Sequence, residues 1–170
     1  GSEERIGHDG MVPQPAPCAE LRWWHAWYAP TQVAVRRTTI AARGMRFDAL
    51  TAGPADGELV LLLHGFPQMA SCWHHALTTL ANAGYRAVAP SQRGYSAGAY
   101  PASVDAYRMS ELTEDALAIA SVLGRERFHL AGHDWGGVVA WTLAGTHPER
   151  GRSLIAVAPP PTPPLPTRPP

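Results

Sequence analysis

The stretch Phe128-His129-Leu130-Ala131-Gly132-His133-Asp134-Trp135-Gly136-Gly137 decides the fold. Phe128 to Ala131 reads as a short strand, and Trp135 to Thr146 as a helix that opens on two small residues. Between them stands a Gly-x-Asp-x-Gly spacing formed by Gly132, Asp134 and Gly136. The glycines permit a tight turn and a close approach of helix to strand. The side chain in the middle is thereby held out over the end of a sheet. This is the strand–turn–helix corner that presents a nucleophile, with Asp where Ser is usual. The next backbone N–H, that of Trp135, stands at a helix N-terminus, where it stabilises developing negative charge.

Outward from this corner the chain alternates strand and helix. Leu59 to Leu63 is a continuous apolar run, which fits a strand buried on both faces of a parallel sheet. Upstream, Val33 to Ile40 and Met45 to Thr51 flank Arg43-Gly44 and read as a β-hairpin. Ser71 is placed to cap a helix running to Ala83, with Gly84 ending it. Tyr85 to Ala89 is the next strand, stopped by Pro90. Ser110 to Leu123 carries an apolar helical stripe through Leu112, Ala116, Leu117, Ile119, Ala120 and Leu123, and Gly124 terminates it. Leu154 to Ala158 is the last strand. The order β-β-β-α-β-α-β-α-β predicts an α/β fold with a mostly parallel sheet, an N-terminal hairpin and flanking helices.

The 170 residues suit one domain of ordinary size or part of a larger one, and a 45% hydrophobic share is enough to build a core. Fourteen basic residues, all Arg, balance fourteen acidic ones. A net charge of zero gives no broad footprint for nucleic acid or anionic lipid, so neither is expected as a partner. Cys18 and Cys72 make no disulfide framework and show no zinc spacing. His74-His75 have no Cys or carboxylate at ligand spacing, so no metal and no cofactor is expected. No apolar run approaches the ~20 residues of a membrane-spanning helix, and no apolar leader is visible. A cytoplasmic setting is the expectation.

The ends differ from the middle. Residues 1–30 read as a leader or tag-like segment; its cluster Trp23, Trp24, Trp27 and Tyr28 lacks the basic stripe of a nucleic-acid platform. Residues 31–158 are the α/β core. Residues 159–170 form a Pro-rich tail that cannot propagate a helix or a central strand. The tail contains a PxxP match at Pro161 and Pro164, which any tract this rich holds by chance.

With these residues in view, the chain resembles the α/β-hydrolase family, and within it the epoxide hydrolase branch. His64-Gly65-Phe66-Pro67, Gln92-Arg93-Gly94-Tyr95-Ser96 and Gly132-His133-Asp134-Trp135-Gly136-Gly137 match that branch in type and order, over about residues 33–160. Ser91 is a departure, standing where the branch usually has Asp. The resemblance implies that Asp134 is the nucleophile. It implies that the backbone N–H groups of Phe66 and Trp135 form an oxyanion hole. His64, Phe66, Pro67, His133 and Trp135 would then line the pocket of a small-molecule substrate. His133 and His64 otherwise read as turn- and loop-organising residues.

Asp in place of Ser changes the chemistry. A carboxylate is ionised at neutral pH and needs no base to attack. It displaces a leaving group from saturated carbon and forms an alkyl ester on the enzyme, which activated water then hydrolyses. Epoxides and haloalkanes both fit. Haloalkane dehalogenases typically carry a halide-binding Asn where this chain has Phe66, so an epoxide opened to a vicinal diol is the expected reaction, with the dehalogenase-like reaction or a non-catalytic binding module as alternatives.

The resemblance also implies a late base His, its acidic partner and two cap Tyr residues. The last His here is His147, the last carboxylate Glu149 and the last Tyr Tyr107. The chain is therefore expected to be the N-terminal half of the fold, ending before the cap, and feeble as a catalyst. Its Pro-rich end and its Arg without Lys fit an off-frame reading of GC-rich DNA. Its last strand is expected to offer an apolar sheet edge for self-association.

Overall fold

β3 (Leu59–Leu63) is buried along its whole length and sorts its side chains onto two faces. Leu59, Leu61 and Leu63 enter one core with Phe47, Phe128 and Val139. Val60 and Leu62 enter a second with Leu77, Ala81 and Ala87. Successive strand residues point to opposite faces, so an unbroken apolar run requires cover on both. The computed structural model describes residues 33–157. The leader, its aromatic cluster and the Pro-rich tail lie outside the described residues.

The remaining strands are β1 (Arg36–Ala42), β2 (Met45–Ala52), β4 (Arg86–Pro90), β5 (Phe128–His133) and β6 (Gly151–Val157). They form one sheet in the order β1-β2-β4-β3-β5-β6. β1 and β2 are an antiparallel hairpin, and β2 meets β4 antiparallel. β4, β3, β5 and β6 run parallel. Three helices cover the sheet: α1 (His74–Asn82), α2 (Met109–Val122) and α3 (Trp135–Thr146). α1 packs on the face of Val60 and Leu62, and α2 and α3 on the opposite face.

The hairpin turn has Arg43 at φ 51° and Gly44 at φ 73°. Positive φ at both central residues matches the twist of the flanking strands. Gly84 and Gly124 end α1 and α2 at φ 88° and 76°. In α1, Tyr85 N–H donates to the Leu80 carbonyl and Gly84 N–H to that of Ala81, both at 3.0 Å. This capping pattern satisfies carbonyls that the helix end would otherwise leave open.

Several boundaries differ from the sequence reading. β1 starts at Arg36 rather than Val33. Ser71 caps no helix. It lies in a 3-10 turn, Ala70–Trp73, and α1 begins only at His74 with no side-chain cap. Pro90 lies inside β4, paired opposite Ala49, because its missing N–H does not prevent pairing at a strand end. β5 continues through Gly132 to His133, because β6 pairs it as far as Val157. β6 starts at Gly151, three residues before its apolar run; Arg152 and Ser153 face solvent and hide the strand from a hydropathy reading. β6 is last in the sheet, and its Ile155 and Val157 are exposed. No helix among the described residues is long and apolar enough to cross a membrane.

Candidate active site

Two parallel strand ends meet at the site. Leu63 of β3 lies opposite Gly132 of β5, so the loop after β3 faces the turn after β5. Asp134 sits in that turn at φ 52°, ψ −122°, half-buried at the N-terminus of α3. Left-handed backbone is costly for a residue with a Cβ. Here neighbours on both sides hold it. Asp134 N–H donates to the Val157 carbonyl at 3.0 Å, and its own carbonyl accepts Val138 N–H at 3.1 Å. A Cβ on Gly136 would collide with the Leu63 and His64 carbonyls, so helix and strand can meet only through glycine there.

The Asp134 carboxylate lies against backbone donors from both elements. Phe66 N–H donates to Oδ1 at 2.9 Å. The Trp135 and Phe66 backbone N–H groups together hold the carboxyl below the usual carboxylate range, against a small opposing effect of burial. The positive end of α3 acts in the same direction. Gly65 makes this approach possible: a Cβ there would stand 2.5 Å from Asp134 Cβ and 2.7 Å from Oδ1. The two backbone donors orient the carboxylate, and among the described residues no ion pair neutralises it. Phe66 and Trp135, 69% and 53% exposed, flank it with apolar surface.

His64 is fully buried. Its Nε2 accepts Gln92 N–H at 3.0 Å, which leaves Nδ1 as the donor to the Gly65 carbonyl at 3.0 Å. Gln92 Nε2 returns a bond to the His64 carbonyl at 2.6 Å. Burial lowers the His64 pKa, against a smaller opposing effect of the Gly65 bond. A neutral ring with both nitrogens committed organises the loop that places Phe66 N–H.

A cleft of about 210 Å³ opens beside Asp134, lined by His64, Phe66, Gln92, Tyr95, Tyr107 and Trp135 among others. His133 instead borders a second depression of about 240 Å³, with Gln68, Cys72, Trp73 and Val157. Pro67 is exposed and follows Phe66 through a cis peptide bond. The structure therefore brings Asp134, Phe66, Trp135 and His64 together, and sets His133 on the other side of the turn. A larger cleft, about 600 Å³, lies over the hairpin between Arg37, Thr39, Asp48, Leu50 and Met69, away from Asp134.

The sequence did not reveal what braces the 92–96 loop. Arg93 and Asp115 are both buried and form a two-point pair, Nε to Oδ2 and NH2 to Oδ1, each 2.7 Å. Arg43 of the hairpin turn joins them, 2.8 Å from Asp115 and 2.8 Å from Glu111. Ser91, in the place of the usual Asp, is buried; its N–H reaches the Asp48 carbonyl at 2.7 Å. Ser96 Oγ donates to the Ser91 carbonyl and accepts Asp48 N–H. Backbone and a second serine thus tie this loop to β2. Tyr95 and Tyr107 are cleft residues that the motif pattern alone does not assign.

The chain belongs to the α/β-hydrolase fold family: residues 58–169 match the family described as alpha/beta hydrolase fold. Within that family its relatives are of the epoxide hydrolase kind. It is 42% identical over 120 residues to Epoxide hydrolase B of Mycobacterium tuberculosis, covering 69% of this chain and 34% of that protein. It is 41% identical over 118 residues to the AB hydrolase superfamily protein YfhM of Bacillus subtilis, covering 69% and 41%. Among solved structures, Epoxide Hydrolase A from Mycobacterium thermoresistibile aligns with a TM-score of 0.69 at 35% identity, covering 71% of this chain and 38% of that one. The chain thus spans well under half the length of these relatives.

Proposed function

We propose that this chain carries the nucleophilic half-site of an epoxide hydrolase. Asp134 opens an epoxide by attack on a ring carbon, forming an alkyl ester. The observation that carries this reading is the Asp134 carboxylate itself. It stands on a strained turn beside a cleft, with the Phe66 N–H on Oδ1 and the Trp135 N–H against the same group. With Oδ1 held by the Phe66 N–H, Oδ2 is the oxygen that attacks. After ester formation the held oxygen becomes the ester carbonyl, and the same N–H groups are placed to stabilise the oxyanion when water attacks. A Ser at this corner would need a base before it could act; an ionised carboxylate needs none for the first step.

The names of the relatives support the substrate class. The exposed apolar Phe66 and Trp135 support a small, partly apolar electrophile. Ester hydrolysis to the diol needs a base that activates water, so the direct test is ester formation. Intact mass after incubation with styrene oxide should show a gain equal to the whole epoxide. Cys72 is an exposed free thiol and a competing nucleophile, so the experiment uses Cys18→Ser and Cys72→Ser together. The gain should vanish in Asp134→Asn. An equal gain in that variant refutes the assignment.

A further inference from the structure

Ser153, His129 and Glu58 form a hydrogen-bonded chain near the amino end of the parallel strands, whereas Asp134 follows the carboxyl end of β5. Ser153 Oγ on β6 is 2.8 Å from His129 Nδ1 on β5. His129 Nε2 is 3.1 Å from Oε2 of Glu58, the residue just ahead of β3. The register of β5 and β6 sets His129 beside Ser153. That pairing is irregular between Phe128 and His129, which gives β6 an extra residue, Arg152. Such a bulge re-aims a side chain. Arg152 NH1 reaches the other Glu58 oxygen at 3.2 Å. The Tyr85 ring packs edge-on against the imidazole, centroids 5.7 Å apart at 86°. The chemistry at Asp134 uses none of these residues.

The partners fix where the protons lie. His129, and then Arg152, hold the Glu58 carboxyl below its usual range. The carboxylate is ionised at neutral pH and only accepts. His129 Nε2 therefore carries the hydrogen between them. In the neutral ring Nδ1 then holds the lone pair, and the Ser153 hydroxyl donates to it. A hydroxyl on a base nitrogen, with the base oriented by a third group, is the arrangement that activates a serine. Geometry and roles define it rather than position in the sequence. The His129 side chain is 23% exposed and Ser153 is exposed, so the base is sheltered and the hydroxyl is within reach of a substrate.

We propose that Ser153 is a second nucleophile of this chain, activated by His129 and Glu58, and that it takes the acyl group of small activated esters. This inference does not rest on the reading of Asp134. Ser153 Oγ bonds to the carbonyl carbon and passes its proton to His129 Nδ1. The bond to the leaving oxygen breaks, and that oxygen keeps the electron pair and takes the proton from His129. Water then attacks the acyl-serine through the same base, which releases the acid and restores the hydroxyl. An exposed hydroxyl selects for an unhindered acyl carbon and a good leaving group rather than for the shape of the acyl chain.

Phenylmethylsulfonyl fluoride reports the first step irreversibly. Ser153 Oγ bonds to sulfur, the S–F bond breaks with its electron pair on fluoride, and His129 takes the proton. The experiment uses the full chain with Cys18→Ser and Cys72→Ser at about pH 8, where a histidine of ordinary pKa is neutral. A peptide map locates the sulfonyl group; lysines, which would compete for it, are absent from the chain. The expected result is a sulfonyl ester on Ser153. It should form about a hundredfold more slowly in His129→Gln, a general-base effect of ordinary size. Glu58→Gln, at an exposed position, should slow it about tenfold by releasing the ring, and it keeps the test valid if loss of the imidazole unfolds the chain. No sulfonyl ester on Ser153, or the same rate in Glu58→Gln as with the native side chain, overturns the proposal. NMR of the imidazole nitrogens needs no variant: hydrogen on His129 Nε2 and a bare Nδ1 are expected, and the opposite tautomer overturns it. Hydrolysis of p-nitrophenyl acetate should fall severalfold in Ser153→Ala, and an unchanged rate there refutes the acyl-transfer role.

Discussion

Replacing Asp115 with Ala should be among the most damaging single changes in this chain, although Asp115 does not touch the cleft. Its carboxylate accepts Arg93 Nε and NH2 at 2.7 Å and Arg43 NH1 at 2.8 Å. The Arg93 and Asp115 side chains are 5% and 6% exposed. Removing one partner of such a pair leaves a buried charge uncompensated, which costs about 3–5 kcal/mol. Arg93 keeps the Ala106 carbonyl at 2.7 Å and Glu111 at 3.5 Å, so the low end applies, about 3 kcal/mol. At a urea dependence of about 2 kcal/mol per molar, the unfolding midpoint should fall by about 1.5 M. Replacing both partners, Arg93→Met with Asp115→Leu, should recover most of the loss, because no charge is then stranded. A loss under about 1 kcal/mol for Asp115→Ala is what an exposed pair gives, and it would refute the reading of this pair as a buried brace.

Other outcomes follow from the same geometry. Gly65→Ala sets a Cβ 2.5 Å from Asp134 Cβ and should slow ester formation about a hundredfold, as misplacement of a reacting group does, while chain stability changes less; a rate within threefold of native contradicts it. The Asp134 pKa is lowered by backbone N–H bonds that favour the ionised form. Ester formation should therefore be flat from about pH 5 to pH 8 and fall only as pH drops through that lowered value, where protonation also forfeits the stabilisation those bonds give; a rate rising between pH 5 and 8 would mean that another group titrates. We also propose that β6 mediates self-association, since it closes the sheet with exposed Ile155 and Val157; Ile155→Lys should lower the sedimentation coefficient at high concentration, and no change there speaks against the edge as the contact.

What the sequence made legible was local. The five apolar residues of β3 need no distant partner to announce a doubly covered strand, and Gly132, Asp134 and Gly136 announce the turn within five positions. Features that depend on distant residues were not legible. Arg43 and Asp115 are 72 positions apart, and nothing in either neighbourhood marks them as partners. The start of β6 was hidden because a strand at the end of a sheet carries Arg152 and Ser153 on exposed positions, so pairing rather than hydropathy defines it. The start of α1 was hidden because Ser71, a good cap by type, falls in a 3-10 turn closed by Cys72 N–H on the Met69 carbonyl. At the site, the motifs named Asp134 and the two backbone donors, but not the cleft's tyrosines. Tyr107 gives its hydroxyl to the Pro101 carbonyl and Tyr95 packs its ring against His64, and both are facts of tertiary structure.

The central claim is that Asp134 is the group that attacks the substrate. The most direct measurement is a peptide map of the native chain after exposure to styrene oxide, with tandem mass spectra locating the added mass. The account predicts an ester on Asp134 that is released by mild base, alongside any thioether on Cys72, which mild base leaves in place. Label on Cys72 or on histidines alone, with the Asp134 peptide unmodified, would contradict it.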